Sequence, residues 1–185
     1  MGKERGHLPR LPDQAYRGMT CIHWIHTMCD RKTGWLDQRF HCHFRETLLH
    51  ALVRFRCCCP MYCLMPDHIH LVSMGWSDRS DQKRATAFFR RHLKEILRAH
   101  GTQLQRQAYD HVLREDERRP GAFEVIAEYI AQNPVRANLI SKERMAEYPH
   151  MGCVVPGYPD LSVWQKDYWE VLWRIYDSFR WETAF

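Results

Sequence analysis

Residues 56–74 leave the chain least freedom. Two apolar, β-prone segments, 56–65 and 68–74, flank a Pro66-Asp67 break, and so short a link joins antiparallel neighbours. Side chains alternate along a strand, so His68 and His70 share one face while Ile69 and Leu71 point the other way, toward a core. Two imidazoles at this spacing can hold one divalent metal ion. A lone His-x-His is more often an ordinary strand end, so the pair acquires meaning only with partners from elsewhere in the chain.

The flanking sequence supplies the rest of a sheet. Residues 19–28 are rich in aromatic and β-branched side chains and read as a strand, followed by a turn around Gly34. From Asp37 to Phe55 the apolar Phe40, Phe44, Leu48, Leu52 and Phe55 recur at steps of three and four, the signature of an amphipathic helix. A polar loop at 76–81 offers Ser77, Asp78 and Ser80 as possible caps for a second helix over 82–100, which Gly101 stops. Residues 109–113 read as a short fourth strand. Strand, helix, strand, strand, helix, strand is an α+β order: a ferredoxin-like antiparallel sheet with helices on one face.

Two helices are added to that pattern. Residues 122–133 form a third helix that Pro134 ends, because the residue before proline disfavours α conformation. Placed across the sheet near His68 and His70, it would bring Tyr129 to them. Residues 135–160 read as loop, with Pro149, Gly152, Pro156, Gly157 and Pro159. A C-terminal amphipathic helix over 164–181 follows, with Trp164, Tyr168, Leu172, Ile175 and Phe179 at helical steps; it packs on the main domain or forms a dimer seam. The expected organisation is an irregular arm at 1–18, a main α+β domain at 19–148 and a C-terminal extension at 149–185.

A chain of 185 residues can bury a real core. The N-terminal residues carry no signal peptide and no apolar run nears the roughly 20 residues of a membrane span, so a cytoplasmic protein with no membrane partner is expected. Its eight cysteines are then reduced thiols. Cys57-Cys58-Cys59 with Cys63 resembles a zinc cluster only superficially, since adjacent strand residues face opposite ways and no Cys-x-x-Cys pair completes a site.

On the third helix Tyr129 and Asn133 are four apart and share a face, with Gln132 close enough to substitute. If that face meets the histidines, the site holds two imidazoles, a carboxamide oxygen and a phenol. Nitrogen and oxygen donors of this kind suit Mn²⁺ and accept Mg²⁺. Neutral ligands leave the ion's charge free to polarise a phosphodiester, and a phenol beside a cation can attack phosphorus to give a covalent phosphotyrosine. Without the histidines, Tyr129 would read as a core aromatic.

The net charge of +5 suits a polyanion. The second helix concentrates it: Ala85, Phe88, Phe89, Leu93, Ile96 and Leu97 cover one side, and Lys83, Arg84, Arg90, Arg91, Lys94 and Arg98 the other. Arg84, Arg91, Lys94 and Arg98, with Arg136 beyond the third helix, are candidate nucleic-acid contacts.

Three stretches in order, Tyr62-Cys-Leu-Met-Pro-Asp-His-Ile-His-Leu-Val72, Gln107-Ala-Tyr-Asp-His-Val-Leu-Arg114 and Tyr129-Ile-Ala-Gln-Asn-Pro-Val-Arg-Ala-Asn-Leu-Ile140, resemble the signature motifs of the REP-associated tyrosine transposases, small single-tyrosine HUH transposases of insertion sequences. The resemblance runs over 19–140. It implies a nuclease that acts on single-stranded DNA beside a hairpin, with His68, His70 and Asn133 as ligands of Mg²⁺ or Mn²⁺ and Tyr129 as nucleophile. Asp67 stands where many relatives carry Asn, and Asn138 where Gly is frequent. The C-terminal helix has no counterpart in the pattern, so oligomeric state, monomer or homodimer, is left open.

Two other readings have distinct signatures. A catalytically silent hairpin-DNA-binding descendant would bind without forming an adduct, although Tyr129 is intact. A histidine-triad nucleotide hydrolase would need a histidine where Val72 stands.

Overall fold

The computed structural model describes residues 11–119 and 121–182. Strands β1 (Cys21–Thr27), β2 (Cys57–Met65), β3 (His68–Gly75), β4 (Tyr109–Val112) and β5 (Met151–Val154) form one antiparallel sheet in the order β4-β1-β3-β2-β5. Helix α1 (Gln38–Arg54) links β1 to β2, and α2 (Gln82–Ala99) links β3 to β4. Each crossover skips one strand, and the two helices pack side by side on one face, as the ferredoxin-like reading requires.

That near face is filled by Ile22, Trp24, Ile69 and Leu71 from the sheet, against Phe40, Phe44 and Leu48 of α1 and Phe89, Leu93 and Leu97 of α2. Asp37 caps α1 by accepting from the Phe40 amide at 2.6 Å. The α2 cap is Asp81, which accepts from the Arg84 amide at 2.9 Å, rather than Ser77, Asp78 or Ser80. Ser80 is occupied instead in donating to the Arg56 carbonyl. Buried Gln82 ties the start of α2 to the sheet: its amide donates to the Thr20 carbonyl, and its oxygen accepts from Ser73.

The opposite face is also covered. Helix α3 (Ala122–Ala131) brings Phe123, Ala127 and Ile130, and α5 (Tyr168–Glu182) brings Tyr168, Leu172 and Ile175, onto Cys58, Met61, Cys63, Val72 and Met74. The C-terminal helix therefore packs within the chain. It begins at Tyr168 rather than Trp164. Cys57 and Cys59 lie in the near layer and Cys58 and Cys63 in the far one, and all eight cysteines are free thiols.

Three segments differ from the sequence reading. Residues 1–10 of the expected arm lie outside the described residues, but Asp13–Tyr16 is a 3-10 turn that buries Tyr16 completely. The stretch read as loop after residue 135 contains β5, which extends the sheet at the β2 edge. The third helix breaks at Gln132, two residues before Pro134, and the chain then makes one more helical turn, α4 (Asn133–Arg136). Proline is tolerated there because the first amides of a helix have no intrahelical partner. Asn138 follows with φ +54°, the left-handed geometry for which Asn is suited.

Candidate functional site

The two histidines of β3 lie at the hairpin tip, on the face carrying α3. Their Nε2 atoms are 2.9 Å apart, with the rings nearly perpendicular at 74°. Each Nδ1 has its own partner. His68 Nδ1 meets Asp67 Oδ1 at 2.6 Å, and the other Asp67 oxygen is 2.6 Å from Arg31 Nε. His70 Nδ1 meets Nε2 of His23, on the neighbouring β1, at 3.0 Å. His23 is paired across the sheet with His111 of β4, whose Nε2 is 3.2 Å from Glu117.

Burial dominates the electrostatics here. His70 is 5 % exposed, and burial, reinforced by His23, His68, Arg136 and Arg31, lowers its pKa to about 3. Burial and the neighbouring His111 lower that of His23 to about 4. His70 and His23 are therefore neutral near pH 7, and for His70 that is the state metal ligation needs.

The donor set fits a divalent ion. Adjacent ligands at about 2.1 Å from a six-coordinate ion lie about 3 Å apart, which the two Nε2 atoms match. A metal-ligating imidazole is held by an acceptor at its other nitrogen, and Asp67 and His23 occupy those positions. Among the described residues no group of three His, Cys, Asp or Glu is arranged to hold a metal. Further ligands would be a carboxamide, water or phosphate oxygen.

Tyr129 is not a core aromatic: its side chain is 56 % exposed on the outer surface of α3. The extra turn, α4, folds Arg136 back over it. The guanidinium lies 3.9 Å from the ring centroid, and one of its nitrogens donates to the Tyr129 carbonyl at 2.6 Å and to Asn133 Oδ1 at 3.0 Å. Asn133 also donates to the Ile130 carbonyl at 3.0 Å, while Gln132 is turned away to Glu128. Tyr129, Asn133 and Arg136 thus form one unit. Its positive charge reaches His70, where it adds to the lowered pKa.

The basic residues of α2 divide into groups. Arg91 and Lys94 line an open cavity of about 520 Å³ with Arg106 and Cys29, close to the end of β1 that pairs with His68. Arg84 lies at the other end of the helix in a separate cavity. Arg98 is 3.2 Å from Glu95 in an exposed pair worth little. Arg90, assigned to the outer basic face, instead turns inward to His26 and to the carbonyls of Gln105 and Arg106.

Sequence reasoning missed His23 and Arg31 as partners of the pair. The available signal was a histidine in an apolar strand at a position facing neither turn nor end; which residue it would meet depended on sheet order.

A solved structure of a REP-associated tyrosine transposase bound to a REP hairpin matches with a TM-score of 0.63 at 12 % identity, covering 79 % of this chain and 81 % of that one. The two chains share a fold. No family model and no curated protein matches the sequence. Among the described residues, no helix is long and apolar enough to cross a membrane.

Proposed function

We propose that this protein is a transposase-like, metal-dependent endonuclease and strand transferase that acts on single-stranded DNA beside a hairpin. The observation that carries the reading is the His68–His70 pair, with Nε2 atoms 2.9 Å apart and an acceptor behind each Nδ1. His68, His70 and Asn133 would hold Mg²⁺ or Mn²⁺. The bound ion would supply a positive charge that polarises a phosphodiester oxygen and stabilises the charge developing on phosphorus.

Tyr129 is the nucleophile. Its oxygen forms a bond to phosphorus as one P–O bond of the strand breaks, and the phenolic proton passes, directly or through water, to the departing oxygen. One phosphoester replaces another, so the strand can be rejoined without ATP. Arg136 orients the ring and the Asn133 oxygen together, and its charge attracts the phosphate. Arg91 and Lys94 contact the backbone of the approaching strand. The protein acts in the cytoplasm, as a monomer or homodimer.

Incubation with a labelled hairpin carrying a single-stranded flank, with Mg²⁺ or Mn²⁺, is expected to give a denaturation-resistant adduct. Tyr129→Phe abolishes the adduct and keeps binding, and His70→Ala removes the metal dependence along with the activity. Binding by the wild type without any adduct under either metal would instead identify a hairpin-binding protein that does not cut.

A further inference from the structure

At the end of the sheet away from His68, where α1 runs into β2 and β3 runs into α2, a second open cavity of about 490 Å³ is lined by Arg17, Arg54, Arg56, Arg79 and Arg84. Its carboxylates are Asp78 and Asp81, so positive charges outnumber negative ones five to two. Asp81 is already engaged, capping α2 at the Arg84 amide and lying 3.9 Å from Arg17. The guanidinium groups of Arg54 and Arg84 lie 5.9 and 5.4 Å from the ring centroid of Phe55, which fixes both heads beside the cavity. Crowding exposed like charges in one concavity costs free energy that a polyanion recovers.

The location of the cavity narrows the ligand. Arg84, Arg91 and Lys94 follow one another along α2 at steps of seven and three, so they share a stripe. That stripe joins the arginine cavity to the cavity lined by Arg91 and Lys94 near the histidine end. Arg84 and Lys94 are about 15 Å apart at 1.5 Å per residue. In duplex DNA, at 3.4 Å per step, this is about four to five base pairs.

We propose that the arginine cavity is a second nucleic-acid site, which holds backbone phosphates of the hairpin's double-stranded stem while the single-stranded flank lies at the histidines. The inference rests on the DNA-processing reading above for its ligand, but not on cleavage. A stem too short to span the helix reaches one cavity only. The second site would thus sort substrates by stem length, a property that phosphate contacts can confer without reading a base.

Fluorescence anisotropy with hairpins that share a flank and carry stems of about three or about ten base pairs tests this. The wild type should bind the longer stem about tenfold more tightly. Arg54→Gln with Arg79→Gln should bind both at the short-stem affinity, with the log–log salt slope on the long stem reduced by about 1.8, or about 0.9 for each phosphate no longer neutralised. Binding of the isolated flank should not change. Equal losses on flank and hairpin, an unaltered preference for the long stem, or no such preference in the wild type would each overturn the site. The two proposals fail separately: loss of stem sensing in a protein that never forms an adduct upholds the cavity and ends the nuclease reading, and the reverse result does the opposite.

Discussion

For His68 and His70 to turn both Nε2 lone pairs toward one ion, both Nδ1 atoms must carry their protons and donate them. The acceptors differ in kind: a carboxylate, Asp67, behind His68, and a neutral imidazole, His23, behind His70. In the proposed metal site, His23 would be a positioning residue, acting through His70. Replacing such an acceptor costs roughly 10- to 100-fold in metal affinity. Calorimetric titration of His23→Ala with Mn²⁺ should show a weakening in that range, and His23→Gln, which restores an acceptor, should recover part of it. Unchanged affinity in a folded His23→Ala protein would mean that His70 needs no such support. A further histidine, on the other side of the sheet, adds its own share of acid sensitivity to that of His23 and His70. Buried His41 faces Tyr62, Arg45 and His150; Arg45 donates to the Tyr62 hydroxyl at 2.8 Å, and that hydroxyl lies 2.8 Å from His41 Nε2 in a second hydrogen bond. Burial, then His150 and Arg45, lowers the pKa of His41 to about 4. Below its unfolded value of about 6.5, the unfolded chain takes up a proton that the native state refuses, so stability falls between pH 6.5 and 4. The loss per group is at most about 1.4 kcal/mol per pH unit. Urea denaturation should show this acid limb becoming shallower in His41→Gln, and a limb identical to that of the wild type would assign the loss elsewhere.

At the scale of elements, what the sequence made legible was local. Helices α1 and α2 have apolar periods, and strands β1, β2 and β3 apolar runs, long enough to read without knowing their neighbours, and the strand and helix order then restricted the sheet to a few arrangements. β5 was illegible for the opposite reason. Its four residues are all buried, so they show no alternation, and Pro149 and Pro156 flank them; only pairing with β2 makes them a strand. β2 hides a second irregularity. Pro60 cannot donate to a ladder, the register shifts around it on both sides, and its carbonyl accepts from the Tyr168 hydroxyl, so a local defect becomes the anchor of α5. The candidate site follows the same division. The spacing of His68 and His70, and of Tyr129 and Asn133, lay in the linear pattern. The contact of His23 with His70 required β1 to lie beside β3, and the fold of Arg136 onto Tyr129 required the chain to resume its helix at Asn133.

The whole molecule is a sheet with apolar side chains on both faces, and the two layers are linked through the same strands. Cys57 and Cys59 point into one layer and Cys58 and Cys63 into the other, so neither layer can loosen without disturbing β2. α5 is the outermost cover of the far layer: Leu172 is 1 % exposed, Phe179 stacks near Trp76 at 4.6 Å, and the Tyr176 hydroxyl donates to the Gly75 carbonyl at 2.8 Å. A helix held this way contributes to global stability, whereas one that served only as a seam between two copies would melt by itself as protein concentration fell. Leu172→Ala removes buried hydrocarbon and should cost about 2–5 kcal/mol. If the molecule unfolds as one unit, the loss should appear equally in circular dichroism and in hydrogen exchange at α1, on the opposite side of the sheet, at every protein concentration. Exchange at α1 that stays at the wild-type level while α5 opens would separate the layers energetically and return the C-terminal helix to the role of an appended interface.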